Sequence, residues 1–334
     1  MRISICFDIR YSIFDIILDL SKSLQGVQEN VPLSNYVTFK IGGPARYFFA
    51  VKNKDEIISA VKAAKENNIP LYIIGGGSNL LVNDVGFNGL VIKIQNTGFQ
   101  IQDTKIIADA GVSLSKLVIE SVNAGLSGLE WAMGVPGTIG GAVYGNAGAY
   151  GHSVSESVYK VRTISPQDFL IKEYNFDECG FVYRGSAFKK KDEIIIEVEI
   201  ELAKGNEEEC RKKSREAIED RRKKTPAYPS AGCVFKNYQL KSESHENDPL
   251  VKNFPELAER VKGGKLGVGY LIDKCGLKGK QIGQAKIADT HGNWIVNLGG
   301  ASSEDVRELI SLAKKEVKGK WGIELEEETR FLGF

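Results

Sequence analysis

Apolar and polar positions along this chain follow first one rhythm and then another, and the changes of rhythm mark its elements. RYFFAV at 46–51 is a continuous apolar run of strand length. A helical rhythm follows, with Ile57, Val61 and Ala64 on one face and Ile58 beside them. Asn53 and Glu56, three residues apart, predict a capping box at its start. Asn67, Asn68 and Pro70 end the helix, and LYII at 71–74 then reads as a buried strand running into GGGSNLL. Strand, helix and strand at this length predict a crossover between parallel strands.

The next unit runs from 96 to about 205. Ser113 opens a short helix carrying Leu114, Leu117 and Val118, and Gly125 closes it. After a glycine-rich stretch come the β-rich runs KVRTIS, FLIKEYNF and EIIIEVEIEL. In the last, Ile194, Ile196, Val198 and Ile200 keep the period of a half-buried strand. Residues 206–224 are charged throughout and predict a solvated helix joining two domains. Beyond them lie a polar insertion (QLKSESHENDPLVKNFPEL), helical patterns near 266–276 and 303–318, and GIELEEETRFLGF, read as a terminal strand. The expected division is 31–95, 96–220 and 221–324, with 325–334 returning as a strand.

A length of 334 residues fits two or three domains. Basic residues number 44 and acidic ones 43, a balance that argues against bulk electrostatic attachment to nucleic acid or membrane. The five cysteines, Cys6, Cys179, Cys210, Cys233 and Cys275, form no C-x-x-C pair and are odd in number. They predict neither a disulfide framework nor a zinc site, and they suit a reducing, cytoplasmic compartment. With histidine only at 152, 245 and 291, no metal is expected. The first twenty residues are apolar, but Asp8, Arg10, Asp15 and Asp19 interrupt them and no cleavage site follows. They read as an amphipathic or frayed N-terminus.

GGGSNLLV at 75–82 follows a strand, so its glycines fall at the carboxyl end of a parallel sheet, where ligands bind. Gly75, Gly76 and Gly77 can turn the backbone and bring N–H groups to an anion, with Ser78 and Asn79 adding donors. The stretch lacks the Lys-Ser/Thr pair of a P-loop and the G-x-G-x-x-G that opens a dinucleotide-binding helix. By itself it is equally a plain turn. GLEWAMGVPGTIGGAVYGNAGAYG at 128–151 mixes glycine with Trp131, Pro136, Tyr144 and Asn146, unlike a flexible linker. Small residues of this kind suit a backbone lying against a large planar ligand, or a tight crossing between strands.

These stretches, with TFKIGGPA at 38–45, FVYRGSAF at 181–188, PSAGCVFKN at 229–237, LKGKQIGQA at 277–285 and LEEETRF at 325–331, stand in one order. From about residue 31 onward the chain resembles the UDP-N-acetylenolpyruvoylglucosamine reductase family (MurB), in its shorter-loop form. The resemblance implies an α+β fold: a two-part FAD-binding domain of the vanillyl-alcohol-oxidase (PCMH) type and a smaller α+β substrate-binding domain. Non-covalent FAD would be held by Arg46, Gly75, Gly76, Gly77, Ser78, Asn79, Leu80, Pro136, Gly137, Thr138, Gly140, Gly141, Asn146, Gly148, Ala149 and Arg330. NADPH would supply the hydride, and UDP-N-acetylglucosamine enolpyruvate would be reduced to UDP-N-acetylmuramate for peptidoglycan. Tyr183, Lys224, Tyr228, Asn237 and Gln281 would contact that substrate. A monomer is expected, without nucleic-acid or membrane partners.

By the same resemblance Arg184, Glu328 and Cys233 are catalytic. An enolate-like charge on the substrate carboxylate calls for a fixed cation and a proton donor. A guanidinium can grip a carboxylate with two parallel bonds. Glu328 is favoured over its neighbours by a Glu-x-Arg pattern, and strand alternation would place Glu326, Glu328 and Arg330 on one face. Cys233 stands where the family usually has serine. A thiol, with a reference pKa of about 8.5, can donate the proton, but positive neighbours would favour thiolate. Sensitivity to alkylation and peroxide is therefore expected. A small cysteine packing the loop is the alternative. The insertion at 238–264, and Tyr238 in place of a usual proline, depart from the family pattern. Competing readings are another FAD oxidase or dehydrogenase of this fold, acting on a hydroxy acid or sugar, and an inactive flavin-binding module.

Overall fold

In the structure, a computed structural model, residues 20–242 and 244–334 are described. The reading of the N-terminal segment concerns residues that, up to 19, lie outside them. The short helix α1 (Leu20–Ser23) leads into β1 (Gln28–Pro32) and then β2 (Pro44–Val51). Helix α2 (Lys54–Glu66) starts where Asn53 and Glu56 place it: the Asn53 side chain accepts from the Glu56 N–H at 2.9 Å. The Glu56 carboxylate reaches back one residue further than a standard box, to the Lys52 N–H at 2.7 Å. Ile57, Ala60, Val61 and Ala64 are buried beneath it.

Strands β3 (Leu71–Ile74), β4 (Leu80–Val82) and β5 (Phe87–Ile94) follow. The crossover forms, yet its strands are not neighbours, because the sheet order is β1-β2-β5-β3 with β5 parallel to both β2 and β3. Leu90, Val91 and Ile92 have no exposed surface, so β5 takes the centre, where both faces are covered. Leu90 and Ile92 each contribute roughly 1.5–3 kcal/mol by that burial.

An antiparallel sheet comes next, built from β6 (Phe99–Gln102), β7 (Lys105–Asp109) and the strands Val158–Ile164, Ile171–Asn175 and Ile194–Glu201. Helix α3 (Leu114–Asn123) is capped by Ser113 and packs with both sheets in one hydrophobic core, joining Ile57, Ile92, Leu117 and Ile200. A separate core lies toward the C-terminus, around Phe235, Leu271, Leu309 and Trp321; Phe39, Ile41 and Leu81 reach into it from the N-terminal half.

Helix α5 (Glu207–Lys224) is more than a solvated spacer. Its Cys210 and Ser214 are buried on a narrow apolar edge, and the Glu130 carboxylate beside Cys210 accepts from the Ser127 hydroxyl at 2.7 Å. Charge does follow the helix axis, with Glu207–Glu209 in the first turn and Arg221–Lys224 in the last, as the macrodipole favours. The insertion is ordered rather than a polar loop: it folds into short strands and helical turns over buried Leu250, Val251 and Leu257. Fully buried Asp248 closes its first half, accepting from the Lys241 N–H at 2.6 Å and the Leu250 N–H at 2.9 Å. The terminal segment is a strand only over Arg330–Leu332, which runs parallel to β4. Among the described residues no helix is long and apolar enough to cross a membrane.

Candidate active site

Two glycine segments are pressed together beyond β3. A Cβ on Gly76 would stand 2.5 Å from the Gly137 Cα, and one on Gly75 would stand 2.6 Å from the Thr138 hydroxyl. Gly77 has φ +65°, and a Cβ there would meet the Tyr36 carbonyl at 2.1 Å. The Ser78 hydroxyl donates to the Pro136 carbonyl at 3.1 Å. Thr138 caps the short helix α4 (Ile139–Gly145), accepting from the Gly141 N–H at 3.4 Å. The result is a cradle of small residues and backbone donors that fits the diphosphate and flat ring of FAD. Gly76→Ala forces backbone against backbone and should strip bound flavin; a flavin-to-protein absorbance ratio equal to that of the unsubstituted protein would refute this.

The glycine-rich stretch also positions the Tyr183-Arg184 turn. Val182 and Gly185 exchange both backbone hydrogen bonds at 3.0 Å, leaving Arg184 in the left-handed region at φ +54°. Asn146 donates its side-chain N–H to the Val182 carbonyl at 2.9 Å, and Ser186 donates to the Tyr144 carbonyl at 2.9 Å. Lys189 donates to the Arg184 carbonyl at 2.6 Å. So held, Arg184 brings its Nε to 2.9 Å from Glu328 Oε1. The N–H itself points away from that oxygen and has no acceptor within the protein.

Glu328 is set by the segment against 233–236, where its N–H donates to the Val234 carbonyl at 2.7 Å. The glutamates alternate as a strand would, although the pairing here is a single bridge. Glu326 meets Lys236, Glu327 turns the other way to Lys314, and Glu328 meets Arg184. Asn79 donates to the Glu328 carbonyl at 2.9 Å and accepts from the Arg330 N–H at 3.1 Å, tying the glycine loop to the acid. The Arg330 guanidinium lies 5.5 Å from the Tyr144 ring centroid, beside Tyr72. Burial pushes the Glu328 carboxyl up, opposed by Arg184, Lys189 and Lys236.

Cys233 pairs through its backbone with Trp294 and lies within electrostatic reach of Glu328 and Arg184. Its residue surface is only half covered, yet the thiol itself is crowded by protein, and the crowding governs its acidity. Burial, and then the Glu328 charge, push the thiol up to about 11 against the pull of Trp294, Arg184 and Arg221. This burial works against the expectation of ready alkylation and oxidation, because it makes the reactive thiolate scarcer near neutral pH. Alkylation of Cys233, followed by mass spectrometry, should be slow at neutral pH and keep rising as pH approaches 11. A plateau in the range of an ordinary cysteine would refute that.

The other candidate residues divide. Tyr183 accepts from the Asn237 N–H at 3.2 Å, and the Asn237 side chain accepts from the Val268 N–H at 3.3 Å, so both brace the turn beside Arg184. Lys265, just beyond the insertion, lies 4.7 Å from the Tyr183 ring centroid. Gly140 packs on Ala110, and Gly148 and Ala149 pair with Ser153 and His152. Lys224 pairs with Asp220 at 2.6 Å in a separate cleft of about 810 Å3 with Trp131 and Tyr150. Tyr228 is half exposed, Gln281 donates to the Gly283 carbonyl at 2.8 Å, and Arg46 is exposed on β2 beside Asn88. None of these four is brought into contact with Arg184, Cys233 or Glu328. Lys189 and Arg221 were not singled out from the sequence. Arg221 has a buried Nε without an acceptor and bears on Cys233, but it is hidden in an unbroken run of charge.

Residues 44–168 match the FAD binding domain family. Fold and cradle together define a flavin-dependent oxidoreductase: α+β, with a two-part FAD-binding domain of the vanillyl-alcohol-oxidase type and a smaller C-terminal domain. Residues 224–332 match the family described as UDP-N-acetylenolpyruvoylglucosamine reductase, C-terminal domain. The chain belongs to the UDP-N-acetylenolpyruvoylglucosamine reductase family. It is 40% identical to the protein of that name from Chlamydia muridarum, over 92% of this chain and 95% of the relative. With that from Solibacter usitatus the identity is 36%, over 92% and 97%. The solved structure of UDP-N-acetylenolpyruvylglucosamine reductase (MurB) from Thermus caldophilus is similar with a TM-score of 0.72 and 34% identity, covering 91% of this chain and 98% of that one.

Proposed function

We propose that this chain reduces UDP-N-acetylglucosamine enolpyruvate to UDP-N-acetylmuramate, using NADPH, as a cytoplasmic monomer in peptidoglycan precursor synthesis. The observation that carries this reading is the half-buried Arg184–Glu328 pair beside a thiol that stays protonated. FAD, when bound, supplies the hydride-transfer chemistry between the nicotinamide and the substrate alkene. The Arg184 guanidinium receives the enolpyruvyl carboxylate and gains interaction energy as negative charge grows there. Glu328 holds the guanidinium in place. Cys233 gives its proton to the carbon next to the one that takes the hydride, and Arg184 and Arg221 favour the thiolate left behind.

Tyr183 and Asn237 would line the substrate beside Arg184, with Lys224, Tyr228 and Gln281 on its nucleotide arm. Functional bounds of 31–95 and 96–220 for the flavin-binding parts, 221–324 for the substrate domain and 325–334 for the returning segment fit this arrangement. NADPH consumption measured with and without the enolpyruvyl sugar tests the reading. The flavin spectrum should bleach with NADPH and recover when the sugar is added. Recovery only with oxygen, a hydroxy acid or another sugar would favour a different enzyme of the same fold.

A further inference from the structure

Lys93 stands on β5, the central strand of the first sheet, paired in register with Ile74 at the end of β3. Its ammonium donates to the carbonyl of Gly75, the first residue of the glycine loop. The side chain is partly buried, and burial draws its pKa down with no negative charge opposing. Lys160 and Arg162, by contrast, meet Glu173, and Lys236 meets Glu326; Lys189, like Lys93, donates only to a carbonyl. No carboxylate among the described residues pairs with Lys93.

An ammonium has three donors and a carbonyl has no net charge, so the Gly75 bond leaves both hydrogen-bonding capacity and charge unmatched. Taking a lone charge out of water is costly unless a counter-charge arrives. Paired residues of adjacent strands point to the same face, so Lys93 shares its face with Ile74 and with Tyr72 two residues before it. Tyr72 in turn neighbours Arg330, which also lacks a carboxylate partner among the described residues. Two cations thus converge on the loop built to receive an anion.

We propose that Lys93 is a cofactor-binding residue whose ammonium, seated behind Gly75, neutralises the diphosphate of FAD. The proposal rests on the assignment of the glycine loops to FAD. Lys93 lies outside the sequence motifs that carry the family resemblance. The lysine has a dual part, holding the loop through its carbonyl and meeting the ligand through its charge.

The test uses apoprotein prepared from the full chain, with Lys93→Met, Lys93→Gln and Lys93→Arg beside the unsubstituted protein. FAD affinity is followed by flavin fluorescence at several salt concentrations, and the melting temperature of each apoprotein is recorded. Removing the charge should weaken FAD binding by about tenfold or more at low salt and flatten its salt dependence, since one attraction subject to screening is gone. Lys93→Arg should stay near the unsubstituted protein. The Met and Gln apoproteins should melt no lower, because an unmatched buried charge has been removed. Unchanged FAD affinity would overturn the proposal. So would weaker binding with the same salt dependence and a lower apoprotein melting temperature, which would reduce Lys93 to a clamp on Gly75. Absence of FAD binding by the unsubstituted protein would instead sink the cofactor assignment, so the two failures are told apart.

Discussion

Arg184→Ala should lower turnover by on the order of a hundredfold or more, the scale seen when a preorganised donor to a developing negative charge is lost. The guanidinium stands 2.9 Å from Glu328 and keeps its charge beside a partly buried carboxylate, where negative charge growing on a ligand would meet it. The substitution also removes the largest influence holding the Glu328 carboxyl down against burial. Glu328 should then keep its proton to higher pH, and the acid limb of the turnover profile should move up the pH scale. FAD content should not change, because no cradle residue is altered. A loss in turnover below tenfold, or an unmoved acid limb, would show that Arg184 serves only as a surface ion-pair partner.

Cys233→Ala should abolish most turnover, while Cys233→Ser should keep a substantial part of it. Alanine leaves no donor at the carbon that must be protonated, whereas serine keeps a neutral O–H donor there. The thiol pushed up to about 11 is a fully protonated acid near neutral pH, as donation requires. The sign follows from burial: the folded protein resists ionising this thiol, so activity dependent on the protonated form persists through neutral pH and declines only in strong alkali. Steady-state rates and their pH profiles for the two variants check this. Equal turnover for Cys233→Ala and the unsubstituted protein would return Cys233 to the role of a packing residue.

Local chemistry was legible wherever a residue acts on its own neighbours. Asn53 with Glu56, Ser113 before Leu114, and the alternation of Ile194 to Ile200 each formed the expected cap or strand. Motif order was enough to single out Arg184, Glu328 and Cys233. It could not reveal that α5 buries Cys210 and Ser214, because a charge pattern does not say which narrow edge meets a neighbour. The ordered insertion was equally hidden, since Asp248 closes its first half through backbone N–H groups that leave no periodic trace.

What the sequence determined by itself was therefore the caps, the strands and the glycine segments, through short-range spacing and residue type, while the family resemblance nominated Arg184, Glu328 and Cys233. Tertiary structure alone decided that β5 enters between β2 and β3, that Asn79 ties the glycine loop to Glu328, and that Lys93 faces Gly75 without a counter-charge. It also decided the acidity of Cys233, which the sequence alone left poised between thiol and thiolate. The physical reason is common to these cases. Burial and distance between residues far apart in the chain set the electrostatic energy of a group, and neither quantity is written in its local sequence.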